Sequence, residues 1–393
     1  MANPRNMSGY TFVTKAMLRL FTYSYILLFL LIPCGYAQRS PQEEQVHEDV
    51  ERHQYDLSGS GKVFLSDEAR RASFFLLGEL HGENEIPALL RDLWPGMWRN
   101  GYRYIAAELS PWAANQLEST PIDQQAKVVT LWTKQEAVFV HSQGALQAIL
   151  WGCDMDEFQP QLLIRDLARS NPTDPILAGM VDSTKSGYER KMAPGLLESA
   201  RRLTNIRDLT VDDVSLVENI RATLQIDSDR LNPDTKLSAQ LRRESLMKQL
   251  FLLHYREHIP PDSEAKVMVR FGRNHLHRGY DARGISTLGN FIAEFAFAQQ
   301  KSVFNVAAFG AGGKASLAGE TWDADERNDD LAFAFLASLA RYPATVFDLR
   351  PLKPILHRIP EDKRSPVEQR LIYWVDSYDA ILCYKNVSPL EPN

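Results

Sequence analysis

FFLLGELHGENEIPALLR, residues 74–91, is the stretch from which the reading of the whole chain follows. Phe74 to Leu77 form an apolar run without polar alternation, the pattern of a strand buried on both faces in a parallel sheet. Gly78 and Gly82 loosen the backbone around Glu79 and His81, while Glu83, Asn84, Glu85 and Pro87 carry the acidic and Pro signals of a helix start. Ile86, Leu89, Leu90, Leu93 and Met97 then recur at helical spacing. Glu79 and His81 are therefore expected just past the carboxyl end of a strand, where open α/β sheets bind ligands.

The same run-then-polar pattern returns along the chain. Residues 102–107 (YRYIAA) end in Glu108, residues 146–151 (LQAILW) close on Gly152, Cys153 and Asp154, and residues 266–271 (KVMVRF) lead into Gly272, Arg273, Asn274, His275, Leu276 and His277. Residues 302–309 precede a Gly-rich stretch, GAGGKA, which lacks Walker spacing and reads as a plain turn. Residues 345–349 and 380–384 supply the last strand candidates, with helices expected over 285–298 and 331–341. Strands alternating with helices predict an α/β fold, a mostly parallel sheet with helices on both faces. From about 160 to 258 the pattern is helical without a strand-like break, which predicts a helical insertion or cap over one end of the sheet.

With 393 residues, 44% hydrophobic and 24% charged, the chain is long enough to bury a large core. Residues 1–37 stand apart: Arg5, Lys15 and Arg19 precede an apolar run (LFTYSYILLFLLIPCGYA) and no acidic residue occurs. That is the composition of a secretory signal peptide ending at Ala37, with an uncleaved membrane anchor as the rival reading. Pro33 opposes lipidation at Cys34. Residues 38–60 are polar and charged and read as a tether leading into a domain over 61–393. Removing residues 1–37 takes the formal charge from -6 to -9, and no basic stripe remains to engage nucleic acid. The expected location is secreted or periplasmic, with membrane contact only through an uncleaved leader. Cys153 and Cys383 suit either a disulfide in an oxidising compartment or two buried thiols.

Glu79, His81, Glu108, Asp154 and His275 each fall within a few residues of the end of a separate predicted strand. In a parallel sheet those ends share one edge, so two carboxylates and two imidazoles can converge on a small-molecule substrate. A His beside a carboxylate is held in one tautomer and made more basic, which suits a base that deprotonates water. Arg91 and Arg273 can hold a substrate carboxylate or an oxyanion. Each also has a plain structural reading: Glu79 as a cap of helix amides, His81 as a satisfied loop residue, His277 as solvated, Arg91 and Arg243 as helix-face ion pairs. The pocket groups would serve a Zn or Mn ion too, although no HExxH motif occurs. His254 and His258 receive no role.

Taken together, GELHGENE at 78–85, Glu108 in IAAELSPW, WGCD at 151–154, RRESLMKQL at 242–250, VRFGRNHLHRG at 269–279, VFDLRPL at 346–352 and the closing YDAILCYKNVSP resemble, in order and spacing, the erythromycin-esterase-like proteins. The ChaN-like haem-uptake lipoproteins and the Tiki-type proteases are relatives of that group. The resemblance spans roughly residues 62–388. It implies a parallel-sheet α/β fold with a helical cap and an exported hydrolase that needs no cofactor. His81 would be the catalytic base, with Glu79, Glu108 and His275 as catalytic partners. Arg91, Arg273, Asp154 and Arg243 would be substrate-binding residues. Within the same resemblance the other activities are binding of haem or iron, or metal-dependent peptide cleavage. Two departures from the esterases stand out: Leu80 alone separates Glu79 from His81, which is nearer the ChaN-like spacing, and Arg273 stands where the esterases have His before Asn.

Overall fold

The computed structural model describes residues 41–121, 150–157, 159–203, 209–317, 319–327 and 330–390. The leader, and residues 146–149 of the third expected strand, lie outside them. The chain divides into two units, residues 1–47 and 48–393, and the site lies in the second.

β2 (Phe74–Glu79) is buried along its whole length, as its unbroken apolar run requires. It lies inside an eight-stranded sheet with β1 (Gln54–Asp56), β3 (Tyr102–Ala107), β4 (Leu150–Gly152), β5 (Lys266–Gly272), β6 (Val303–Gly310), β9 (Ala344–Asp348) and β10 (Ala380–Tyr384), in the order β1-β9-β10-β6-β2-β5-β3-β4. From β10 to β4 all neighbours are parallel, and β9 runs antiparallel to both β10 and β1. The register pairs Glu79 with Gly272, and Ala107 with both Arg270 and Gly152. The chain segments leaving β2, β5, β3 and β4 therefore emerge along one edge, neighbours about 4.8 Å apart.

Alternate residues of β2 face opposite layers. Phe75 and Leu77 join a core with Leu65 of α2 (Ser60–Arg71) and Ile86, Leu90, Leu93 and Trp94 of α3 (Glu85–Arg99). Phe74 points the other way, its ring 6.1 Å from Phe251 of α9 (Lys236–His258) and 6.2 Å from Phe295 of α10 (Leu288–Ala298). Each such fully buried side chain contributes about 1.5–3 kcal/mol, so both helical layers are anchored on this strand.

Between β4 and β5 the described residues are mostly helical. α5 (Pro160–Ser170), α6 (Pro175–Ser183), α7 (Ala193–Arg202) and α8 (Val211–Leu231) bury a separate core built from Leu163, Leu167, Leu177, Leu196, Ile220 and Leu224. α8 starts at a reciprocal cap between Thr210 and Asp213. α9 leaves this bundle and lays Met247, Phe251 and Tyr255 into the main body.

One sequence expectation needs correction, and one open alternative is decided. From Pro41 on, the segment read as a tether is built of regular elements: α1 (Pro41–Arg52) precedes β1, which pairs with β9, and the apolar positions that permit this are too sparse to override the polar average. GAGGKA opens a second, two-stranded sheet, β7 (Lys314–Leu317) with β8 (Glu320–Asp323). Gly313 there has φ +91, and a Cβ on it would meet the Val387 carbonyl oxygen at 2.1 Å, so only glycine fits. Cys153 and Cys383 are free, buried thiols. Four strands separate β4, which Cys153 follows, from β10, which carries Cys383, and a disulfide cannot reach across them.

Candidate functional site

The edge where β2, β5 and β3 end collects the acids and imidazoles. Glu79 is the last residue of β2, and one oxygen lies 2.9 Å from Nδ1 of His81. Its other oxygen accepts from Nε of Arg270, on the neighbouring strand β5, at 2.6 Å. Nε2 of His81 then faces Oε2 of Glu108 at 3.3 Å. His81 is thus clamped between carboxylates from two strands.

Glu108 is the hub. Its Oε2 accepts from the backbone amide of Gly272 at 2.6 Å, and its Oε1 accepts from Nη2 of Arg243 at 2.8 Å. The same Oε1 lies 3.5 Å from Nε2 of His275. Nδ1 of His275 in turn meets Oε1 of Glu244 at 2.5 Å, and the other Glu244 oxygen accepts from the amide of Leu288. Gly272 is placed by close approach: a Cβ on it would sit 3.1 Å from Nε2 of His81 and 3.2 Å from Oε2 of Glu108.

Arg243, reaching in from α9, binds Asp154 through Nε at 3.0 Å and Glu157 through Nη1 at 3.0 Å, in addition to Glu108. One buried guanidinium therefore holds three carboxylates that would otherwise repel one another.

Accessibility separates the members. His81 keeps 28% of its side chain exposed, against 7% for Glu79 and Glu108 and 12% for His275. His81 is thus the most exposed of the four.

Charge follows from these contacts. Burial alone would lower the pKa of His81, but Glu108 and then Glu79 outweigh it and raise it to about 10. His275 is likewise raised against burial by Glu108 and Glu244. Burial works against ionisation of Glu108, yet His275, His81 and Arg243 hold it well below the usual carboxylate range. Glu79 is lowered too, Arg270 and His81 overcoming its burial. Asp154 goes the opposite way, to about 6: burial, with Glu108 and Glu157 adding to it, exceeds the pull of Arg243.

His81, Glu79, Glu108 and His275 are thus brought together, with Asp154 and Arg243 packed behind them. Arg91 and Arg273 are not. Arg91 is exposed on α3, on the face turned from its buried leucines, and none of the hydrogen bonds of this cluster involves it. Arg273 is buried elsewhere, its guanidinium 4.6 Å from the Phe333 ring of α11 (Leu331–Leu339) and its Nη1 without a hydrogen-bond partner. A one-turn 3₁₀ segment, Arg273–His275, explains the split, because residues two apart in such a turn face different sides. His277 is buried rather than solvated, with Nδ1 3.0 Å from the Ser377 hydroxyl and Nε2 3.2 Å from the Tyr373 hydroxyl.

Sequence reasoning passed over Arg270, Glu244 and Glu157. Arg270 offered one signal, a charge inside an otherwise apolar strand run, since a cation in a buried strand needs an anionic partner. Glu83 also escaped it. Glu83 is buried and accepts from the Gly310 amide at 2.9 Å, and burial pushes its carboxyl up to about 7.

No family model matches the sequence, and no curated protein matches it. Solved structures do match the fold. A Bacillus cereus protein aligns at TM-score 0.59 with 12% identity, covering 90% of this chain and 100% of its own. A mutant of the erythromycin esterase EreC in its open conformation aligns at TM-score 0.57 with 14% identity, covering 84% of this chain and 95% of its own. ChaN of Campylobacter jejuni, in a structure of cofacial haem binding, aligns at TM-score 0.31 with 13% identity over 63% of this chain and 85% of its own, too loosely to carry an argument. The fold of this chain is accordingly the α/β fold seen in erythromycin esterase EreC, with a large, mostly parallel sheet.

Proposed function

We propose that this protein is an exported hydrolase of the erythromycin-esterase-like type, in which His81 activates water for attack on an ester or related bond of a small molecule. The observation that carries the reading is the Glu79–His81–Glu108 array. Glu79, fixed from behind by Arg270, takes the Nδ1 side of the ring and leaves Nε2 facing Glu108. A carboxylate behind one ring nitrogen fixes the tautomer and orientation in which the other can take a proton. Glu108 opposite Nε2 accepts hydrogen bonds and is fully ionised, so a water near both groups is oriented by one and deprotonated by the other.

The raised pKa of His81 decides how such a base works. At neutral pH the ring holds its proton, and water activation proceeds from the minor neutral form, which grows as pH rises. His275, held by Glu244, is shifted by Glu108 against its burial toward the protonated form, which favours negative charge developing beside it. Arg243 and Arg270 are positioning residues: they hold the carboxylates rather than meet substrate.

Screening a panel of esters and lactones tests the proposal, with and without chelator, against wild type and His81→Ala. The expected result is at least one substrate hydrolysed by wild type and a loss of about 10²–10⁴-fold in the variant, with the fold retained. Equal rates in both proteins refute it. The leader composition of residues 1–37 supports export, and the mass of the mature protein recovered from the host tests removal of those residues.

A further inference from the structure

The last turn of α9 reads His254-Tyr-Arg-Glu257-His258, and its two imidazoles and its carboxylate offer donor atoms within 4.8 Å of one another. Residues at i, i+3 and i+4 share one helix face, and this face turns toward the end of β4.

The hydrogen bonds decide which nitrogens are available. Nε2 of His254 lies 3.1 Å from the carbonyl oxygen of Gly152. A carbonyl only accepts, so that nitrogen carries the hydrogen and Nδ1 is the bare one. Nδ1 is buried, has no hydrogen-bond partner, and lies 4.0 Å from a Glu257 carboxylate oxygen. Nδ1 of His258 lies 2.9 Å from the carbonyl oxygen of His254, which by the same argument leaves Nε2 of His258 bare. Carbonyl oxygens that fix the protonated nitrogen of each ring are the usual outer partners of metal-ligating histidines.

The rings are held before any ligand arrives. His254 stacks on Trp151 with centroids 5.8 Å apart and planes at 15°, and His258 packs at 5.6 Å from Trp151 and 5.5 Å from Tyr104. The Tyr104 hydroxyl donates to the His258 carbonyl oxygen at 3.1 Å. All three donors sit at the carboxyl end of a 23-residue helix, where the macrodipole favours a cation.

We propose that His254, Glu257 and His258 bind a divalent transition-metal ion of the zinc class, with water completing the shell. Two neutral imidazole nitrogens and one carboxylate oxygen form a borderline-soft donor set that suits zinc and discriminates against magnesium and calcium. The site is separate from the Glu108 cluster: His254 follows Glu244 by ten positions along α9, about 15 Å of helix. A bound ion would clamp the end of α9 without touching the groups assigned to hydrolysis.

Isothermal titration of the metal-stripped protein with Zn²⁺ tests this, comparing wild type with His258→Ala, Glu257→Gln and His81→Ala. Glu257 is exposed, so its substitution leaves the fold intact. The expected result is saturable binding to wild type and to His81→Ala, a loss of affinity of at least about ten-fold in His258→Ala, and a weakened site in Glu257→Gln. Zinc should raise the melting temperature of wild type and not of His258→Ala. Absence of saturable binding to wild type overturns the proposal, as does binding that survives both α9 substitutions.

Discussion

Oε2 of Glu108 faces Nε2 of His81 at 3.3 Å, while Oε1 of the same carboxylate lies 3.5 Å from Nε2 of His275. One acid just past β3 thereby raises the basicity of two imidazoles delivered from the ends of β2 and β5, strands that lie beside one another in the order β2-β5-β3. The cluster is a consequence of that strand order and of the common edge at which the three strands end.

Arg243 pairs with Glu108, Asp154 and Glu157 with only 13% of its side chain exposed. Arg243→Met should cost about 3–5 kcal/mol of stability, because two buried carboxylates and the partly buried Glu157 lose their common partner. Arg243→Lys should recover only part, since an ammonium lacks the planar fork. Urea unfolding of the three proteins measures both, and a loss below ~1 kcal/mol for the Met variant would show that the ion network is not structural.

At Gly272 the backbone φ of -51 permits any residue, so Gly272→Ala acts only through its methyl group. That methyl would press on both His81 and Glu108. The expected outcome is a fall in kcat/KM on the order of ten-fold to a hundred-fold with little change in melting temperature. Unaltered kcat/KM would mean that the His81–Glu108 contact does not matter for turnover.

His277 is buried and neutral. Ser377 donates its hydroxyl to the Tyr373 carbonyl, so Nδ1 of His277 donates to Ser377 and Nε2 accepts from the Tyr373 hydroxyl. Burial, reinforced by the nearby arginines, lowers its pKa to about 4 from an unfolded value of about 6.5. The unfolded chain therefore takes up this proton first, and the stability associated with neutral His277 is present above pH ~6.5 and lost as pH falls toward about 4. Melting temperatures across that window should decline less steeply in His277→Gln than in wild type; parallel curves would remove His277 as the cause.

Because Cys153 and Cys383 are separated across the sheet, a reducing agent should leave the melting temperature of the purified protein unchanged. A marked drop on reduction would contradict this strand order.

Much of this arrangement was legible from the chain alone, and the parts that were not share a physical reason. Runs such as Phe74–Leu77 and YRYIAA announce buried strands because a parallel strand tolerates few polar positions, and the first polar residue after each run marks the edge. His81, Glu108 and His275 were found in that way. Glu244 was not, because it lies 31 residues from His275 on a helix whose apolar spacing gives no hint of an inward-facing acid. Arg273 falls outside the cluster because a single 3₁₀ turn rotates it away from His275. Arg91 follows α3 onto its solvent face, which the leucine spacing could have revealed. The order of the strands, which alone brings Glu79 beside Arg270, depends on long-range pairing that no local pattern encodes.

The pH dependence of kcat/KM, measured on a substrate from the ester and lactone panel for wild type and Glu108→Gln, addresses the central claim most directly. If His81 is the base and Glu108 holds its proton, the wild-type rate rises with pH toward an apparent pKa near 10, and the rising limb moves to lower pH in the variant. A wild-type rate that falls through the same range, or a limb that stays in place when the Glu108 charge is removed, would contradict the account.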